Sequence, residues 1–380
     1  MSKIKVNRIE NTSTTDGGID IDTSGHVQLD GLQLPTAGAL SNRNLIINGE
    51  HKVDQRNNGS SVTLSSTTAF ITDRWSSRIN GGGAVARQSG TVPSGKGFKR
   101  SLKFDVTTAD TSPSANDEIY VQTKPEAQDL TQLSYGSSDA KSVTISFWVQ
   151  SALTGNFGFF IYQDDAVRAY QTTYNISTAN TWEYKTITVP GDTAGTIDDD
   201  NGTGFEIRWY LAVGSNKGGS SNQNAWGSDF NNRHPTSTNL MASASNNWYI
   251  TGIQLEVGEK ATPFEHRSYG DELARSMRYF QKSYNYSDPP GSATSTGTAW
   301  MTVAQGGGRL AHTAYLKERM RATPTFKTYD WDGNIDKIRT NSGNNQGASA
   351  IYSSENAVIV DVNVSGVTEN IFQYTAEAEL

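Results

Sequence analysis

The chain has 380 residues, and its 32 Lys and Arg against 39 Asp and Glu leave a formal net charge of −7. That length suits two or three domains, and with no basic surplus to neutralise a phosphate backbone, a nucleic-acid partner is not expected. The absence of cysteine removes disulfide frameworks, thiolate catalysis and Cys-ligated zinc, while 36 glycines and 10% aromatic residues match the short strands and polar turns of an all-β protein.

Residues 1–40 stand apart. Ile4, Val6 and Ile9, then Ile19 and Ile21, then Val27 and Leu29, then Leu32 and Leu34 form short apolar alternations, broken by Asp16-Gly17-Gly18, Ser24-Gly25 and Asp30-Gly31. This predicts β-hairpin segments with one apolar face, too small to offset their own chain entropy, so association with further copies of the chain is expected. The opening MSKIKVNRIENTSTT carries Lys but no apolar run, and no stretch approaches the length of a membrane span. Neither a signal peptide nor membrane insertion is expected.

From 41 to 268 the pattern predicts a β-sandwich. Strands are expected at 62–64, 69–76, 101–106, 119–122, 142–150, 157–163, 182–189, 204–213 and 248–257, with the clearest alternation in Val143, Ile145, Phe147 and Val149. The strand tryptophans Trp75, Trp148, Trp182, Trp209 and Trp248 are expected in the core. Two long polar stretches, 107–117 and 214–239, read as loops with a role of their own, and the second holds Trp226, Phe230 and His234.

Leu273, Met277, Phe280 and Tyr284 recur at helical spacing, which predicts a connecting helix over 269–285 capped by Ser268 or Asp271. Strands expected at 298–304, 309–316, 325–330, 348–352, 357–364 and 371–378 make a second, smaller sandwich over 286–380.

Motifs for catalysis are scarce. There is no G-x-S-x-G elbow and no H-E-x-x-H, and the histidines at 26, 51, 234, 266 and 312 show no triad pattern. Asp198-Asp199-Asp200-Asn201-Gly202 resembles a calcium loop without completing one, so no cofactor is assigned and calcium stays open. Gly81-Gly82-Gly83 and Gly306-Gly307-Gly308 fall between strands and read as turns, and Asp164-Asp165 reads as a hairpin turn.

Five stretches carry a family resemblance: NRNLIINGEHKVDQRNNG (42–59), ITDRWSS (71–77), SVTISFWVQS (142–151), NWYITGIQLEVGEKATPFEHRSYGDELARSMRYFQKSY (247–284) and FQYTAEAEL (372–380). Together with the leader SKIKVNRIEN…GGIDIDTSGHVQLDG, the chain resembles phage tail fibre proteins, particularly those of cyanophages and other marine phages. Similar proteins often have Cys where this one has Ser276. The resemblance implies a structural, non-enzymatic virion protein, made in the host cytoplasm and built into the tail. Residues 1–40 would attach it to the tail or an adaptor protein as a homotrimer, and its sandwiches would be similar to carbohydrate-binding jelly rolls that face a host glycan such as lipopolysaccharide.

Within that reading, Phe264, Glu265 and Arg267 are expected to form a structural joint, Phe264 as anchor and the charged pair fixing the connection to the helix. If a sugar site exists, Trp226 is the expected stacking platform, with Asp229 and Arg233 as hydroxyl partners; their alternative role is an inter-subunit loop. Two other readings remain: a glycan depolymerase, and a structural adaptor or capsid decoration without host contact.

Overall fold

A computed structural model describes residues 8–10, 18–21, 27–29, 32–33, 41–217, 223–228, 238–302, 308–340, 343–347, 349–364 and 369–380. Of the residues singled out from sequence, Ile4, Val6, Leu34, Asp229, Phe230, Arg233, His234, Gly306 and Gly307 lie outside this set.

The leader forms a four-stranded antiparallel sheet, Arg8–Glu10, Gly18–Ile21, Val27–Leu29 and Leu32–Gln33. Its register pairs Ile9 with Ile19, Ile19 with Leu29 and Ile21 with Val27, so these apolar positions share one face. Arg8 pairs with Asp20 at 3.2 Å on the other. The apolar face is open: Ile9 is 59% exposed and Ile21 42%.

Residues 41–268 fold as two facing antiparallel sheets. One runs in the order Trp226–Gly227, Arg168–Ile176, Gly155–Gln163, Phe205–Val213, Glu118–Thr123, Trp75–Ile79, Ala69–Thr72. The other runs Glu183–Val189, Val143–Ser151, Asn247–Val257, Ser101–Thr108, Gly83–Ser89, Val62–Thr63. Their inward residues interdigitate around Trp209, whose ring lies 5.5 Å from Trp75, 5.7 Å from Phe147 and 5.5 Å from Phe159. Edge contacts of this kind add to the area that each ring removes from water.

Three strands escape the sequence pattern, the two-residue Trp226–Gly227 and two longer ones, and the strand expected over 69–76 divides into Ala69–Thr72 and Trp75–Ile79. Gly83–Ser89 starts at the third glycine of a triplet, and Arg168–Ile176 mixes polar with apolar residues; both are held by neighbours on either side rather than by their own alternation. Asp164-Asp165 sits in the turn between the strands ending at Gln163 and starting at Arg168.

The connecting helix is shorter than expected, Tyr269–Met277, with the Ser268 hydroxyl accepting from the Asp271 N–H at 3.1 Å as its cap. Phe280 belongs instead to a strand, Phe280–Lys282, paired with the strand Glu369–Glu377 of the second lobe. The helix face turned inward is not the apolar one: Glu272 and Ser276, one turn apart, are its buried residues. Glu272 accepts from the Asn48 N–H and lies 3.5 Å from Arg267, so charge pairing replaces apolar packing along this face.

The second lobe packs a six-stranded sheet against a three-stranded one, with Ala314, Ile338, Val360, Phe372 and Tyr374 between them. Lys337–Thr340 and Gly343–Gly347 are further strands that sequence did not indicate.

The two lobes meet through ions. The Arg56 guanidinium stacks between the rings of Phe70 and Phe280, at 4.6 and 3.8 Å, and pairs with Glu377 and Glu379, each at 3.1 Å. Arg74 lies 3.4 Å over the Tyr279 ring and pairs with Glu379. Arg278 makes a two-pronged contact with Glu126, at 2.7 and 2.8 Å, and the Tyr279 hydroxyl donates to the same carboxylate at 2.5 Å. Arg321 donates to the carbonyls of Asn201, Ala378 and Glu379.

Asp73 lies buried in this junction, accepting from the Gln55 backbone and side chain at 2.9 and 2.5 Å. Burial outweighs the pull of Arg56 and pushes its carboxyl up to about 6. The folded protein therefore keeps a proton that the unfolded chain releases near pH 4, so this group's contribution to stability falls as pH rises from about 4 to about 6 and stays lost above. Two pKa units correspond to at most ~3 kcal/mol. In urea unfolding, Asp73→Asn is expected to gain roughly 1–3 kcal/mol relative to wild type on going from pH 4.5 to 7.5. An equal difference at both pH values would mean that Asp73 is ionised throughout.

Candidate functional site

Alternation in Val143–Ser151 sends Val143, Ile145, Phe147 and Val149 into the core, and by the same parity turns Ser146 and Trp148 to the outer side of the six-stranded sheet. Trp148 is thus half-buried on the outer surface rather than in the core, and Trp182 is half-buried as well. The register sets Trp148 beside Tyr184, ring centroids 5.3 Å apart and tilted by 45°, with Tyr184 44% exposed.

Across Trp148 on the other side, the strand Asn247–Val257 bulges. Ser146 pairs with Gln254 but Trp148 with Thr251, so Gly252 and Ile253 together oppose Phe147. Gly252 has φ +62°, and a Cβ there would lie 2.5 Å from the Phe98 ring. The missing side chain lets Phe98 rest on the sheet, where it packs against Phe264 at 5.2 Å and His266 at 5.3 Å.

The segment after this strand folds back over the sheet's outer side. Gln254 and Glu256 point outward yet are buried, because Thr262 covers them: its N–H donates to Glu256 Oε1 at 2.8 Å, its hydroxyl to Glu256 Oε2 at 2.6 Å, and Gln254 Nε2 reaches Thr262 Oγ1 at 3.2 Å. Gln254 Oε1 accepts from the Glu265 N–H at 2.8 Å. The Glu265 carboxylate accepts the backbone N–H groups of Arg43 and Asn44 at 3.3 and 3.0 Å. Arg267 donates to the carbonyls of Asn44 and Ile46 and lies 3.5 Å from both Glu265 and Glu272. Glu265 and Arg267 thus tie the flap to residues 43–46 and the helix, while Phe264 belongs to the ring cluster above the bulge.

Flap, bulge and sheet enclose an open groove of ≈ 620 Å³ floored by Ser146, Trp148 and Tyr184 and walled by Phe98, Phe264 and His266, with the Lys96 ammonium 5.3 Å above the Trp148 ring. Flat rings beside hydroxyls and one cation suit the apolar face and the polar rim of a sugar. No Asp or Glu lines the groove, so it offers no carboxylate pair for glycoside hydrolysis.

The outer side of the seven-stranded sheet is different in kind. Tyr120, Phe160 and Tyr210 are buried there, with the Arg208 guanidinium 4.5 Å over Tyr120 and bonded to Gln122 Oε1 at 3.1 Å. Gln171 on the same side is 1% exposed, and neither of its amide atoms has a hydrogen-bond partner among the described residues. At this sheet's edge, Trp226 pairs with Tyr170, donates from its indole to the Pro190 carbonyl at 2.6 Å and packs against Tyr135, Tyr170 and Phe205. Asp229 and Arg233 lie outside the described residues, so of the expected trio only Trp226 is described. Among the described residues, no three His, Asp or Glu side chains gather as a metal site. Likewise no described helix is long and apolar enough to cross a membrane.

No protein-family model matches the chain, and no curated protein matches it. Solved structures with partial likeness include the enzymatically active domain of tailspike protein 4 from bacteriophage CBA120, at 12% identity and a TM-score of 0.30 over 56% of this chain and 21% of that one. A family 11 carbohydrate-binding module from Clostridium thermocellum is 14% identical, with a TM-score of 0.27 over 53% of this chain and 98% of that one. A xylan-binding domain from Paenibacillus barcinonensis is 12% identical, with a TM-score of 0.25 over 54% and 99%. This chain thus spans about a fifth of the tailspike's length, and likeness this distant carries no argument about the site.

Gly252→Ala combines a left-handed backbone with a Cβ inside the Phe98 ring. It is expected to destabilise the fold by about 1–3 kcal/mol and to displace Phe98, read by thermal unfolding together with a change in tryptophan fluorescence from Trp148. Unchanged unfolding and fluorescence would mean that the bulge does not position the groove wall.

Proposed function

We propose that the protein is a non-catalytic glycan-binding component of a phage tail, a fibre that attaches by residues 1–40 and recognises a host surface glycan such as lipopolysaccharide. The observation that carries this reading is the groove: two adjacent half-exposed aromatic rings on the sheet's outer side, the Lys96 ammonium at their margin, and no lining carboxylate to cut a glycosidic bond. The family resemblance of the five sequence stretches supplies the virion context. Single contacts need not be strong, since copies on one particle raise affinity through effective concentration.

Homotrimer formation belongs to the same proposal. The open apolar face of the leader sheet, with Ile9, Ile19, Ile21 and Val27 all exposed in the single chain, supports burial against further copies. Light scattering of the full chain is expected to give a trimer that loosens when Ile19 and Ile21 are replaced by Ser; a monomer at micromolar concentration would remove this part of the reading.

One observation favours another site. Buried Gln171, whose amide has no hydrogen-bond partner among the described residues, marks a second polar and aromatic place on the outer side of the seven-stranded sheet. Binding to a panel of extracted lipopolysaccharides and oligosaccharides separates the two. Trp148→Ala is expected to weaken binding roughly 5- to 30-fold, the loss of about 1–2 kcal/mol of ring contact, with Trp226→Ala near wild type where it folds. Loss on Gln171→Ala with Trp148→Ala unaffected would move the site to the other sheet. A trimer that binds no glycan would favour a structural adaptor or decoration role.

A further inference from the structure

We propose that the groove selects an anionic glycan, with Lys96 pairing a carboxylate or phosphate on the sugar while the sugar ring lies on Trp148 and Tyr184; this rests on the groove being the glycan site. The chain as a whole is acidic, −7, yet no acidic side chain lines the groove. Among the described residues Lys96 forms no ion pair, whereas Lys52, Lys103, Lys124 and Lys185 each meet a carboxylate within 3.1 Å.

Its position is held as well as free. Lys96 opens the segment Lys96-Gly97-Phe98-Lys99-Arg100, in which Phe98 is pinned on the Gly252 bulge. Lys99 and Arg100 are exposed on the same segment, so three cations follow one another closely beside the groove in a chain that is acidic as a whole. The acidic groups behind the other wall are engaged: Glu256 is buried, accepts from Thr262 and Gln254 and lies 3.9 Å from Arg43, and Glu50 is met by Lys52 at 3.1 Å and by His266 Nδ1 at 3.3 Å. An ammonium over the rim of an indole can meet an anionic substituent without leaving the ring, so one ligand can use both contacts at once.

The test measures binding of wild type, Lys96→Gln, Lys96→Glu and Trp148→Ala to three size-matched oligosaccharides, one bearing uronic acids, one bearing phosphate esters and one neutral, at 50 and 300 mM salt. Wild type is expected to prefer one or both anionic probes by at least tenfold at low salt, and which one distinguishes carboxylate from phosphate. Lys96→Gln is expected to weaken the preferred anionic probe about 3- to 10-fold and Lys96→Glu more, with neutral binding weakened less and the preference shrinking at high salt. Lys96 is exposed, so both variants are expected to unfold like wild type. Anionic binding that survives Lys96→Glu but is lost in Trp148→Ala would overturn the charge selection and leave the groove in place. Binding indifferent to Trp148→Ala, or absent from every probe, would overturn both.

Discussion

The buried bonds that Gln254 and Glu256 make with Thr262 decide the shape of the first lobe. An outward-facing glutamine and glutamate on a central strand would ordinarily sit in water, but here their groups are met by a threonine from a segment that doubles back over the sheet. Asn247–Val257 is consequently covered on both sides over its C-terminal half, although it belongs to an antiparallel sheet that has only one core. The flap's path fixes where Phe264 and His266 stand, and the groove wall is their by-product. Removing the Thr262 partners would leave a buried carboxylate with only Gln254 and a more distant Arg43, a larger penalty than the loss of one neutral hydrogen bond.

Charge is used differently at the lobe junction. There Arg56 and Arg74 stack on rings as well as pair with carboxylates, so each of these two guanidiniums is held through its plane and its edge. Such contacts impose orientation, since the planar group fits in one pose, and they make the second lobe a fixed extension of the first. The stretch from Glu377 to Glu379 lies at the centre of this grip, which explains why those glutamates alternate with alanines: Ala376 and Ala378 face the small core around Met320.

Much of the sandwich was legible because a two-residue period has one physical meaning, and Val143, Ile145, Phe147 and Val149 state it plainly. The same period already placed Trp148 on the opposite side; treating all strand tryptophans as core overlooked it. The helix was over-extended because Phe280 continues a three-and-four spacing by coincidence, while its cross-strand partners near Glu377 lie almost a hundred residues away in sequence. The groove itself was not legible. Its parts come from separated segments, at 95–98, 146–148, 184, 252 and 261–266, and only sheet register and a bulge bring them to one place. What sequence did single out was the segment Phe264, Glu265 and Arg267, but not Gln254 and Glu256, whose bonds to Thr262 fold the flap.

The attachment of residues 43–46 to that flap has a mechanical side. Residue 41 is where the leader side of the chain joins the sandwich, and the contacts met next along the chain are Asn42 Oδ1 with Arg275, the Arg43 and Asn44 N–H groups on Glu265, then the Leu45 N–H on the Leu255 carbonyl at 2.8 Å. Tension drawn through the leader would therefore enter the lobe beside the groove wall, spread over several parallel hydrogen bonds that must yield together, instead of peeling a free strand edge one bond at a time. A ligand seated on Trp148 and a pull on the leader would act on neighbouring parts of the same flap, so grip and strain share one element of the fold.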